Sequence, residues 1–157
     1  MIRSDSIKYI FIGLIMLAAQ VILVRHLQIY NAEADLILIF LLWLCPRKSR
    51  TEAILFAAAF GLIQDAVTDL WGLHMFSKTL LIFFFHNYLS KLSENRLILW
   101  QIFLILLLAA FLHNLIFLLL SNFIDLYSTG IVVGSTLIGS SLYTAVVGSF
   151  LHLVRNE

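Results

Sequence analysis

Apolar residues run along this chain in long continuous stretches, not in alternation. A helix needs about 20 mainly apolar residues to cross a bilayer core of about 30 Å. Residues 97–120 and 131–154 meet that requirement easily, and 7–24 is adequate. Residues 76–89 form a shorter stretch with His86 and Asn87 near its end. Residues 36–45 are apolar for only ten positions, about 15 Å of helix. Pro46 then stops the run, because proline has no amide proton to continue a helix. Residues 53–63 are apolar but lead straight into Gln64, Asp65, Thr68 and Asp69. The pattern predicts an all-α integral membrane protein of six transmembrane helices, the second short and the third carrying a polar end. The period-two alternation of a membrane β-barrel is absent.

Composition supports this. Charged residues make up 12% of the chain, hydrophobic residues 62%, and the mean hydropathy is +1.01. A soluble domain usually carries about 25% charged residues, so too few are present here to coat a water-exposed globule. The basic residues also sort by side. With six helices and the amino terminus in the cytoplasm, the inner loops receive Arg3, Lys8, Arg47, Lys48, Arg50, Lys91, Arg96 and Arg155, and the outer side only Arg25 and Lys78. Eight against two matches the enrichment of Lys and Arg in cytoplasmic loops. The expectation is one polytopic membrane domain over residues 1–157, with both termini cytoplasmic. A net charge of +1 gives no pull toward nucleic acid. The lone Cys45 excludes an intramolecular disulfide and a cysteine-rich metal site. Residues 7–24 pass into Arg25 and His26 without a small-x-small cleavage site, which predicts a retained helix and not a signal peptide.

Several polar residues fall inside this apolar frame. Gly61, Gln64, Asp65 and Thr68 stand at i, i+3, i+4 and i+7 and so share one helical face. An acidic side chain within a membrane span costs about 2.5–3.5 kcal/mol on insertion scales, so it faces protein or a water-filled cavity. Asp65 is therefore either a substrate or proton site or, more commonly, a cap on a helix end or an adjoining turn. Asp65 and Asp69 alone do not make a metal site, since a hard divalent cation takes about six oxygen ligands. His113 and Asn114 sit in the middle of the fifth apolar run, where hydrogen bonding between helices is the commoner role and proton relay the rarer one. No nucleophile elbow, HExxH, phosphate-binding loop or cysteine pair is present, so no motif supports catalysis.

Small residues gather in the sixth run: Gly130, Gly134, Gly139, Ser141, Ala145, Gly148 and Ser149. Gly130 and Gly134 have GxxxG spacing, and Ser141, Ala145 and Ser149 repeat every four residues. Such rows let another helix approach closely, either within the chain's own bundle or on another protein. Leu106, in the fifth run, is expected to face lipid.

Residues 34–78, ADLILIFLLWLCPRKSRTEAILFAAAFGLIQDAVTDLWGLHMFSK, resemble the bacterial rod shape-determining MreD family. Asp35 stands where that family has Asn or Asp opening a short second helix, and Pro46 to Arg50 match its basic, proline-containing loop. Gly61-Leu62-Ile63-Gln64-Asp65 matches its G-L-x-x-D, and Trp71-Gly72-Leu73-His74 resembles its L-G-L-H/N turn. Between the last two elements the family often has a small polar residue and a glycine, where this chain has Ala66, Val67, Thr68 and Asp69.

The resemblance implies a non-enzymatic protein of the inner membrane, without cofactor, in the machinery that elongates the peptidoglycan wall. It implies pairing with an MreC-like bitopic protein and, indirectly, association with MreB, RodA and RodA's partner transpeptidase. It also implies a fold similar to the six-helix substrate-binding subunit of energy-coupling-factor transporters. Asp35, Gly61, Asp65, Gly72, His74, Gly134, Gly139 and Ser141 are the candidate partner-binding or structural residues. Bound membrane lipid and homo-oligomerisation stay open. The alternative is a vitamin-binding transporter subunit with an outward pocket lined by Gln64, Trp71 and His74. Against it, Gly13 to Gln20 offers only Gly13 and Ala18-Ala19 where such subunits use AxxxA-like rows to recruit their coupling protein.

Overall fold

The computed structural model describes residues 4–22, 26–29, 31–70, 72–92, 97–123 and 133–156. The helices among them are α1 (Ser4–Ile22), α2 (Leu36–Leu44), α3 (Arg50–Thr68), α4 (Leu73–Leu92), α5 (Leu99–Phe123) and α6 (Ser140–Asn156). A 3₁₀ turn, Cys45–Arg47, follows α2, and a π-helical turn, Ser135–Gly139, leads into α6. Three segments are long and apolar enough to cross a membrane: Arg50–Thr68, Leu99–Phe123 and Ser135–Val154. Ser6–Ile22 and Leu36–Arg47 are shorter apolar helices. Each expected apolar stretch thus contains a helix, and three of these helices are both long and apolar enough to cross.

The shortest helix is the central one. Eight residues of α2 are buried, with only Trp43 partly open, as expected of a helix that is apolar all round. It touches each of the other five helices. Ile37, Leu38, Leu41 and Leu44 meet Ala57 of α3, Leu81 and Ile82 of α4, Ala109 of α5 and Ala145 of α6 in one core. The outer faces of the bundle are apolar too. Phe11, Leu55, Phe84, Trp100, Leu119 and Phe150 are each more than half exposed, a surface suited to lipid and not to water.

At 1.5 Å per residue, α2 covers only about 14 Å. Non-helical backbone at membrane depth is tolerated only where other groups satisfy it, and the segment leading into α2 meets that condition. Gln20 of α1 donates to Ala34 O at 2.9 Å and accepts from Leu36 N at 2.6 Å. Ser140 Oγ accepts from Glu33 N, and Thr144 Oγ1 from Asp35 N, both at 3.0 Å. Two helices thereby hold the entry to a third.

α3 begins with a capping box: Ser49 Oγ accepts from Glu52 N, and Glu52 Oε2 from Ser49 N. It ends at Asp69, whose φ of 59° is left-handed. Aspartate is one of the few residues that adopts this conformation. α4 is longer than the apolar stretch at 76–89, running from Leu73 to Leu92. Its first turn contains polar residues that find partners inside the bundle.

Candidate functional site

Asp35 is the N-cap of α2, with Oδ1 accepting from Leu38 N at 2.8 Å. Its negative charge lies at the positive end of the α2 dipole. Its second oxygen, Oδ2, is ion-paired with Lys78 Nζ of α4. Lys78 is fully buried, with 0% exposure. This corrects the assignment of Lys78 to an outer loop. An ammonium buried alone would cost several kcal/mol, but paired with a carboxylate and hydrogen-bonded it can stay inside. Lys78 is the only Asp, Glu, Lys or Arg between Asp69 and Lys91, and apolar residues follow it. That isolation was the available signal.

His113 of α5 closes the cluster. Its Nε2 lies 3.3 Å from Lys78 Nζ, 3.1 Å from Ser77 Oγ and 4.0 Å from Asp35 Oδ2. An ammonium only donates, so Nε2 accepts and the ring proton sits on Nδ1. Nδ1 then donates to Asn114 Oδ1 at 3.2 Å, and Asn114 Nδ2 donates to Ser141 Oγ of α6 at 3.0 Å. One chain of polar contacts therefore joins α2, α4, α5 and α6. His74 adds its ring, stacked at 6.1 Å on His113 and at 4.7 Å on Phe117.

Asp35, His74 and His113 bring three ligand atoms within 4.8 Å of one another. Lys78, however, already bonds Asp35 Oδ2 and His113 Nε2, so its ammonium competes with any metal cation for those two atoms. The donor set fits an internal organic cation better than a metal.

Asp65 organises the neighbouring corner. Its Oδ1 accepts from His74 N and its Oδ2 from Met75 N, both at 2.9 Å. It thus satisfies two of the donors that the first turn of α4 leaves unpaired. Gly61, one turn earlier in α3, has no room for a side chain: a Cβ would lie 2.5 Å from Met75 Cα. Gly72 turns the chain with φ of 79°, a conformation glycine adopts without steric cost. Gly61, Asp65, Gly72 and His74 are therefore parts of a single device, a tight α3–α4 corner that delivers Ser77 and Lys78 to Asp35. Gln64 is buried on the same α3 face, while Thr68 is exposed and bonds back to Gln64 O.

The small residues of the last helix separate. Gly139 packs on Ala32, where a Cβ would be 2.9 Å from Ala32 Cβ, and Ser141 bonds Asn114. Gly148 closes on Leu106 and Ile39. These serve the chain's own bundle. Gly134 is exposed, and a Cβ added there would meet nothing within 4 Å. Gly130, its GxxxG partner, and Trp71 lie outside the described residues. Leu106 is buried, not lipid-facing as expected, because it meets α6 at Gly148. His86 is also buried and bonds Lys48 O at 3.0 Å, tying α4 to the turn after α2.

The family described as rod shape-determining protein MreD matches residues 5–140 of the chain. No curated protein and no solved structure matches it.

Proposed function

From the membership of this chain in the MreD family of rod shape-determining proteins, we propose that it is a non-enzymatic scaffold of the cell-wall elongation machinery, lying multi-pass in the inner membrane with both termini cytoplasmic. Its direct partner is an MreC-like bitopic protein, whose membrane-proximal segment it binds and positions. MreB, RodA and RodA's transpeptidase are reached through that partner.

The observation that carries this reading is how the buried ionisable groups are bonded. Asp35, Lys78, His113 and Asp65 bond to one another or to the chain's own backbone. They fix one helix against the next, which is what a platform requires. The apolar outer faces then act by contact, since helices in lipid associate through close packing and a few hydrogen bonds. The vitamin-binding alternative is not favoured: Gln64 is buried within the bundle and His74 is stacked on Phe117.

The test pairs pull-down with cell shape. The chain should co-purify in mild detergent with a single-span, MreC-like protein, and its depletion should round rod-shaped cells before growth stops. Depleted cells that stay rod-shaped, with a purified protein that binds a vitamin at nanomolar affinity, would refute the scaffold.

A further inference from the structure

A groove of about 730 Å³ opens between α1, α2, α5 and α6, with Leu89 and Leu92 of α4 also lining it. That volume falls in the range of small-molecule sites, about 300–1,000 Å³. Its lining is largely apolar, with Ile12 and Met16 of α1, Ile39 of α2, Leu106 of α5 and Leu151 of α6. Gly148 lets two of these side chains come close to the α6 backbone: a Cβ there would stand 2.8 Å from Leu106 and 3.2 Å from Ile39.

Two of the lining residues are not apolar, Arg47 and His152. Arg47 belongs to the 3₁₀ turn that ends α2, and His152 lies near the end of α6. The Arg47 guanidinium lies 4.3 Å over the Trp43 ring and donates to Trp43 O. That stacking holds a cation at the rim of an apolar slot. Lys48 and Arg50 come next in the chain but do not line the groove: Lys48 lies 3.9 Å from Glu52, and Arg50 stacks on Phe83.

We propose that this groove binds one anionic phospholipid, its acyl chain along α2 from Trp43 toward Ile39 and its phosphate at Arg47. A slot apolar along its length and cationic at one end matches the two parts of a lipid. A guanidinium pairs well with phosphate oxygens, and basic residues at a membrane surface favour anionic headgroups over zwitterionic ones. A partner's transmembrane helix would fill the slot but would bring no obligatory negative group to Arg47. The proposal rests on the chain being membrane-embedded and is independent of what the scaffold binds.

Trp43, at the rim, is the reporter. The full-length protein carrying Trp71→Phe and Trp100→Phe is reconstituted with phosphatidylglycerol or phosphatidylcholine brominated on the acyl chain. Bromine should quench Trp43 through phosphatidylglycerol with about fivefold higher apparent affinity, the ratio that one basic residue at an anionic surface supports. Arg47→Gln should bring that ratio close to one. Met16→Phe, which fills the slot, should weaken quenching by both lipids while helix content by circular dichroism stays unchanged. Equal quenching by the two lipids in the unaltered groove would overturn the proposal, as would a preference that survives Arg47→Gln. Quenching that disappears as protein density rises would assign the groove to a second copy of the chain. Quenching abolished by the co-purifying single-span protein would assign it to that protein's helix. Either result also rejects the lipid. A failed pull-down alongside intact lipid preference would sink the scaffold and leave the lipid site standing.

Discussion

Lys78 of α4 is bonded to the carboxylate of Asp35 at the head of α2, although 42 residues of largely apolar sequence separate the two. Each charge is the reason the other can stay inside. Removing one partner of a buried pair typically costs 3–5 kcal/mol, about the penalty for the charge left behind. Lys78→Gln or Asp35→Asn alone should therefore lower unfolding stability by roughly that amount. Asp35→Asn with Lys78→Gln should recover a large part of it, because Asn still caps α2 through its carbonyl oxygen and no unpaired charge is left. Denaturation in detergent micelles of the two single variants and the double one measures the coupling. Additive losses would show that the pair contributes nothing as a pair.

How far the sequence revealed this arrangement depends on the distance over which each signal acts. The short second helix was legible because Pro46 and the ten apolar residues before it are local facts. A cap is one of two local options for Asp65, and its bonds from His74 N and Met75 N have the geometry of one. The place of Lys78 is not legible in this way, because the bias of basic residues between loops counts every Lys as water-facing. Its true environment depends on Asp35, which is remote in sequence. The division of Gly134 from Gly139 and Ser141 was likewise hidden, since four-residue spacing says that a face is small but not what covers it.

Asp65 accepts two backbone amides with two oxygens. Asparagine offers one acceptor oxygen, so Asp65→Asn should lose one bond and about 1 kcal/mol. Asp65→Leu loses both and should cost about 2–3 kcal/mol. Thermal unfolding should rank the native protein above Asn and Asn above Leu. If Asp65→Asn removes function at unchanged stability and membrane level, the negative charge itself is required and capping is the lesser role.

Orientation is testable without preparing a cysteine-free background. Cys45 is buried, so an impermeant thiol reagent should leave the unmodified chain unlabelled. Gln28→Cys and Thr68→Cys, at exposed positions beyond α1 and at the end of α3, should label from outside intact spheroplasts. Thr51→Cys and Lys91→Cys, also exposed, should label only after permeabilisation. Labelling of Thr51→Cys from outside would invert the topology.

The glycines separate packing within the chain from contact with a partner. At Gly61 an added methyl meets the backbone of Met75 at 2.5 Å, and backbone cannot step aside as a side chain can. Gly61→Ala should therefore destabilise the α3–α4 corner and lower the amount of protein in the membrane. Gly134 meets nothing, so Gly134→Leu should leave stability alone. If the partner helix packs over the open start of the last helix, that same leucine blocks close approach, and co-purification of the single-span protein should fall severalfold. Leu119→Ala, on the exposed face of α5, is the appropriate lipid-facing control; Leu106→Ala is not, since it would open a cavity beside Gly148. Pull-down yield read against thermal stability distinguishes the cases. A Gly134→Leu protein that is stable and retains its partner would exclude this face and leave the contact to the other apolar outer faces, those around Phe11, Leu55, Phe84 and Phe150.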